Sequence, residues 1–164
     1  MTSGPTEDRA GRSVPPTALR RRATLLAVIG AGGAIGATAR YGTGLALPPQ
    51  PDAFPVATFL VNVVGTVILG AVAVLPADWL SAHALMRPAI GTGFCGGLTT
   101  FSTMTLEIYQ RSSAHSLLAA TYAVTSLVAA PACAWAGFSL TQTARSISRN
   151  RRTSPGATKG GTQK

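Results

Sequence analysis

The chemistry-bearing residues of this chain crowd into one stretch, Gly93 to Glu107, inside an otherwise apolar run. Gly96-Gly97-Leu98-Thr99-Thr100 is poor helix material, and Thr99, Thr100, Ser102 and Thr103 set hydroxyls around it. A helix interrupted there leaves carbonyl oxygens without partners. In hydrocarbon such groups are too costly unless they line a cavity, meet another subunit or coordinate an ion. A kink made for packing alone is the competing reading. Glu107, two turns further on, reads either as a residue at the membrane edge or as a group at a pore mouth. Arg40 closes a separate apolar run; such a cation either snorkels to the headgroups or faces a water-filled vestibule, where it attracts anions.

Other apparent sites dissolve on inspection. Gly30-Ala31-Gly32-Gly33-Ala34-Ile35-Gly36 resembles a dinucleotide-binding turn, with Asp52 at the distance of a ribose-binding acid. The spacing misses the strict pattern at Ile35, Asp52 follows three prolines rather than a strand, and no β-α-β alternation continues. Gly32 and Gly36 instead form a small-xxx-small face suited to close helix contact in lipid. Cys95 and Cys133 sit in apolar runs as small hydrophobes. His83 and His115 have no partner at ligand spacing, so metal enzymology is not indicated.

These residues need elements to position them, and composition names the class. Hydrophobic residues make up 46% and charged residues 12% of the 164 residues, roughly half the charged share of a soluble domain. The fold class expected is an all-α membrane protein with four transmembrane helices, the third broken mid-membrane. The spans run over about 23–41, 54–75, 88–109 and 117–140, and each reaches the roughly 20 residues that cross ~30 Å of hydrocarbon. Residues 1–22 read as a disordered basic tail and 141–164 as a second. The Arg-rich start resembles a signal peptide, but the apolar runs that follow make it a tail leading into a first span.

The net charge of +9 raises nucleic-acid binding, which requires a folded soluble platform between the basic tails; here that region is apolar. Twelve of the fourteen Lys and Arg residues fall in the tails and the Arg87 loop, leaving Arg40 and Arg111 on the other side. That asymmetry places both termini in the cytoplasm.

Gly93-Phe94-Cys95-Gly96-Gly97-Leu98-Thr99-Thr100-Phe101-Ser102-Thr103 closely resembles the signature of the Fluc (CrcB) fluoride channels of bacterial plasma membranes. Gly32-Gly33-x-x-Gly36-Ala37-x-x-Arg40-Tyr41 is similar to that family's first-helix motif. Thr58-x-x-x-Asn62-x-x-Gly65, followed by Gly70, is similar to its second. The resemblance implies export of F⁻ through an antiparallel dual-pore dimer. It also implies a structural, untransported Na⁺ held by the carbonyls of Gly96 and Thr99 from both subunits. The anion pathway it implies comprises Asn62, Phe101, Ser102, Thr103, Tyr122 and Ser126, with Arg40 in the vestibule. For Tyr122 and Ser126, four apart on one helical face, interhelical hydrogen bonding is the other reading.

The pattern departs from the family at three places. Met104 stands where a second phenylalanine is usual, Ala57 replaces a glycine, and Ala130-Pro131 interrupt the fourth-span motif. Methionine offers no electropositive ring edge. With the unbalanced charges, Met104 makes a heterodimer with an oppositely inserted relative the expected assembly ahead of a homodimer. The alternatives are a non-conducting assembly subunit and a small four-span proton-coupled drug exporter, for which Glu107 is the available carboxylate.

Overall fold

The computed structural model describes residues 15–75 and 84–153 of the chain, with side chains to residue 148. Trp79 and His83 lie outside the described residues. Among the described residues the fold is helical throughout: α1 (Pro16–Ala46), α2 (Val56–Ala73), α3 (Pro88–Cys95, wound as a π-helix), the short α4 (Gly96–Leu98), α5 (Phe101–Ser112) and α6 (Ser116–Thr153).

Three helices are long and apolar enough to cross a membrane: Pro16–Ala46, Val56–Ala73 and Ser116–Ser148. The segment that joins the second to the third is divided, with α3 and α4 on one side of Thr99-Thr100 and α5 on the other.

Two helices outrun their apolar spans. α1 begins at Pro16, inside the stretch read as a tail, because proline fits the first helical position and Ala18-Leu19-Arg20-Arg21-Arg22 are strong helix formers. α6 continues to Thr153 through residues also read as a tail. Pro131 within α6 has no N–H to offer the Leu127 carbonyl, so one helical bond is absent there.

Small residues fix how the helices meet. α1 lies along α3 and α4, and α2 lies along α6. A methyl group on Gly32 would strike the Ala89 carbonyl, one on Gly36 the Phe94 carbonyl, and one on Gly97 the Gly33 carbonyl. The expected small-xxx-small face therefore packs backbone to backbone on the first half of the divided segment. The second seam repeats the device, with Gly70 facing Ala134 and Gly137 facing Val67.

The buried set is small, with Val61, Val72, Cys95, Leu98, Met104, Ala119 and Tyr122 as its hydrophobic members. Large apolar side chains instead point outward, among them Leu60, Leu69, Leu127, Val128 and Trp135. Such a surface suits lipid rather than water.

Candidate functional site

The chain breaks one step later than the glycine pair suggests. Gly96 and Gly97 are helical, and extended backbone appears at Thr99 (φ −79, ψ 155) and Thr100 (φ −150, ψ 122). The glycines are there for proximity: Gly97 presses on Gly33, while Gly96 opens onto space. Side chains make the break. Thr99 closes the upstream helix, its N–H and its Oγ1 both donating to the Cys95 carbonyl at 3.0 and 2.9 Å. Thr100 opens the downstream one as its N-cap, accepting from Thr103 N–H at 3.2 Å.

Asn62 on α2 spans the gap. Its Nδ2 donates to the Thr100 carbonyl at 3.0 Å, and its Oδ1 accepts the Thr100 N–H at 2.8 Å. That N–H would otherwise serve the Gly96 carbonyl, which is thereby freed from its helical partner. The Thr99 carbonyl loses its helical donor too, because Thr103 N–H goes to Thr100 Oγ1; it lies 3.4 Å from Arg40 Nη1.

Two cavities flank the break. One, of about 600 Å³, runs from the loop after α1 to the break and is bordered by Arg40, Thr58, Thr100, Thr103 and Glu107. The other, of about 540 Å³, is mostly apolar and is bordered by Asn62, Thr100, Phe101, Met104, Ser126 and Pro131. Thr100 touches both. Four of the six expected pathway residues border these spaces, divided between them, and Ser102 and Tyr122 border neither. Arg40 and Thr103 face the first; Asn62, Phe101 and Ser126 face the second.

Ser102 is exposed, with its Oγ 3.3 Å from Thr100 Oγ1. Phe101 is 71% exposed at the head of α5, whereas Met104, one turn on, is buried. Ser126 Oγ is buried with no hydrogen-bond partner among the described residues, an unspent polar group at the wall of the apolar cavity.

Tyr122 is 0% exposed and its hydroxyl is engaged, donating to Glu107 Oε2 at 2.9 Å. Thr58 Oγ1 donates to Glu107 Oε1 at 2.8 Å, so each carboxylate oxygen has a donor. Arg111, 5% exposed, lies one turn beyond. Its Nη2 donates to the Gln50 carbonyl at 2.8 Å, its Nε to Ala53 at 3.2 Å and its Nη1 to Glu107's own carbonyl at 3.1 Å. Phe54 packs edge-on to Tyr122 with ring centroids 5.1 Å apart.

Sequence reasoning undervalued this cluster. Glu107 read either as an edge residue or as a pore-mouth group, and Arg111 only as one of two cations on the side away from the termini, yet both are buried. Their i, i+4 spacing with Met104 three residues before Glu107 is the signal of one inward face. Among the described residues no group of three or more His, Cys, Asp or Glu could hold a metal ion.

Comparison with known proteins supplies a context for this geometry. The family model for CrcB-like protein, Camphor Resistance (CrcB), matches residues 27–138. "Fluoride-specific ion channel FluC 2" of Rhodococcus jostii is 45% identical over 115 residues, covering 70% of this chain and 96% of that one. "Fluoride-specific ion channel FluC 2" of Streptomyces avermitilis is 48% identical over 87 residues, 53% of this chain. The chain spans only 55% of that relative's length. "Fluoride-specific ion channel FluC 1" of Mycobacterium bovis is 45% identical over 103 residues, 62% of this chain and 78% of that one. The matched region takes in α1 from Ala27, the whole broken segment and most of α6, and on that extent the chain belongs to the CrcB family of membrane proteins.

Proposed function

We propose that this chain is a subunit of a fluoride-specific channel of the bacterial plasma membrane, letting F⁻ leave the cytoplasm down its electrochemical gradient. One observation carries the reading. A broken membrane segment is stapled by Asn62 beside an apolar cavity in which Ser126 holds a buried, unspent hydroxyl. The relatives' names point the same way.

The physical problem is dehydration. Fluoride is small and strongly hydrated, so a pore must replace its water with hydrogen-bond donors. Ser126 offers an O–H, and Asn62 has a second amide hydrogen beyond the one given to Thr100. Thr103 brings a hydroxyl to the other cavity, and Ser102 one to the exposed side. Phe101 can turn its electropositive ring edge to the anion. Arg40 raises the local anion concentration at the vestibule. Tyr122 serves at one remove, by fixing Glu107.

In this proposal four segments cross the bilayer, α3 to α5 acting as the third, with both termini cytoplasmic. A structural Na⁺ sits between two antiparallel subunits. The donor chemistry fits: Gly96 is exposed, and its carbonyl and that of Thr99 have lost their helical donors. One chain offers two such oxygens and a second doubles them, a set suited to a hard cation. Arg40 beside the Thr99 oxygen is a cost that the site must absorb.

The second subunit is an oppositely inserted relative in this proposal. Met104 in place of a ring and the one-sided charges both favour that, and the numbered names FluC 1 and FluC 2 are compatible with paired chains. Met104 also supports a second reading, in which this chain only assembles a conducting partner.

Liposome efflux read with a fluoride electrode separates these readings. The expected result is slow F⁻ loss with the chain alone and fast loss when a related chain is co-reconstituted. Full-rate efflux from the chain alone would sink the heterodimer. A partner that conducts only in this chain's presence, and equally well when Asn62 and Ser126 of this chain are replaced, would leave the assembly role.

A further inference from the structure

We propose that the arginines at the cytoplasmic ends of α1 and α6 form a collar that binds anionic phospholipid headgroups, phosphatidylglycerol being the model ligand. The inference rests on the membrane setting of the chain and not on what passes through it.

The heights of the helix ends carry it. Gly33 on α1 lies beside Gly93 on α3. Arg22, eleven residues before Gly33, is about 16 Å below that contact at 1.5 Å per residue. Arg87, six residues before Gly93, is at most about 9 Å below it. The N-terminal end of α1 thus extends roughly 7 Å or more beyond the start of the third segment.

α6 behaves likewise. Tyr122 packs on Phe54 just before α2, Gly137 meets Val67, and Arg145 reaches the Val74 carbonyl at the end of α2, so the two helices run in the same direction. From there α6 continues to Thr153, adding about 10 Å between positions 145 and 152. Both overhangs match the thickness of a headgroup layer, about 5–8 Å on each side of the hydrocarbon.

Charge follows height. Arg87 and Arg145 donate to the last carbonyls of α2, Ala73 and Val74, at the hydrocarbon boundary. Arg20, Arg21 and Arg22 are exposed on the α1 overhang, and positions 149, 151 and 152 of the α6 overhang are also arginine. Among the described residues the carboxylates are Asp52 and Glu107, both toward the opposite end; the sequence holds three more, Glu7 and Asp8 ahead of α1 and Asp78 in the loop 76–83. A helix end in plain water needs no such stack of guanidinium groups at two levels. A layer of phosphodiesters does, since each cation held at headgroup height is attracted by the lipid phosphates.

Native mass spectrometry of the full chain, titrated with phosphatidylglycerol, phosphatidylcholine or inorganic phosphate, tests this. The expected result is phosphatidylglycerol bound at least tenfold more tightly than phosphatidylcholine, with inorganic phosphate failing to displace it. The triple variant Arg20→Gln, Arg21→Gln, Arg22→Gln keeps helix propensity and is expected to lose roughly a hundredfold in that affinity, about fivefold for each charge. The triple lysine variant, which keeps charge, should retain most of it and guards against misfolding of the first. Equal binding of the two lipids, unchanged affinity in the glutamine variant, or equal loss in the lysine variant would each overturn the collar. Displacement by inorganic phosphate would reassign it to a free anion.

Discussion

The two halves of the broken segment are built on opposite principles. Upstream, α3 and α4 press backbone against α1 through Gly32, Gly36, Gly93 and Gly97, and no polar side chain is needed to hold them. Downstream, α5 is fixed by side chains. Thr100 caps it, Met104, Glu107 and Arg111 are buried along one face, and Asn62, Thr58 and Tyr122 reach in from α2 and α6. The upstream half is seated on α1 of its own chain. The downstream half turns Phe101, Ser102 and Tyr109 outward. A half held by side chains can be tuned residue by residue without moving backbone. That is the half on which Phe101, Ser102, Thr103 and the departure at Met104 fall.

The sharpest break of this contrast comes from the glycine seam. A side chain at Gly36 would meet both the Phe94 carbonyl and the Leu98 N–H, backbone that cannot swing aside. Gly36→Leu is expected to cost about 3 kcal/mol or more and to yield little folded protein by size-exclusion chromatography. Gly30, one turn and a half earlier, faces open space, so Gly30→Ala should raise thermal stability by up to about 1 kcal/mol. If both behaved alike, the seam would not be what holds the upstream half.

Next in size is the polar cluster. Glu107→Ala removes the acceptor of two buried hydroxyls, Thr58 Oγ1 and Tyr122 OH. A loss of about 2–4 kcal/mol is expected in denaturant unfolding. Thr58→Ala in the same background should then cost little more, because its partner is already gone. Additive losses would show that the two groups act independently and would weaken the view of a cooperative downstream half.

Much of this was legible in the sequence, and the shortfall has identifiable causes. Apolar run length gave the helices, because in lipid a backbone without water must pair with itself. The small-xxx-small face of Gly32 and Gly36 was readable because close approach leaves a periodic trace. The break falls at Thr99-Thr100, the far end of the stretch Gly96 to Thr100 that reads as poor helix, because Gly97 serves contact and Asn62, far away in sequence, takes the Thr100 peptide. Glu107 and Arg111 were undervalued for a related reason. Their partners Thr58, Tyr122, Gln50 and Ala53 come from other segments, and no local pattern announces them. Helix beyond the apolar limits of α1 and α6 was hidden because polarity was taken for disorder, although alanine, leucine and arginine favour helix in water too.

Met104→Phe sharpens the comparison at the function level. The side chain is buried, 6% exposed, beside the apolar cavity of about 540 Å³, so a ring can be accommodated at a cost of about 1–2 kcal/mol. In the proposed channel the substitution restores a ring edge, and F⁻ efflux from liposomes carrying this chain alone should rise severalfold. No rise, with the variant folded, would mean that Met104 is not what limits conduction.

The smallest effect is expected at the loop after α1, where the contrast between buried and exposed fastening can be measured directly. Arg111 holds that loop from inside through the Gln50 and Ala53 carbonyls. His115 holds it from outside, its Nε2 donating to Asp52 Oδ1 at 2.8 Å with side chains 42% and 79% exposed. An exposed pair contributes about 0–1 kcal/mol, since water competes for both partners and salt screens them. A buried arginine has little water to fall back on, and its removal takes the side-chain donor from the Gln50 and Ala53 oxygens at once. Asp52→Asn should therefore shift the thermal midpoint by no more than a few degrees, and Arg111→Met by several times as much. Hydrogen exchange at residues 50–53 should rise sharply in the second variant and barely in the first. Equal exchange in the two would place the loop's anchorage at the surface, and the downstream half would lose its claim to be organised from within.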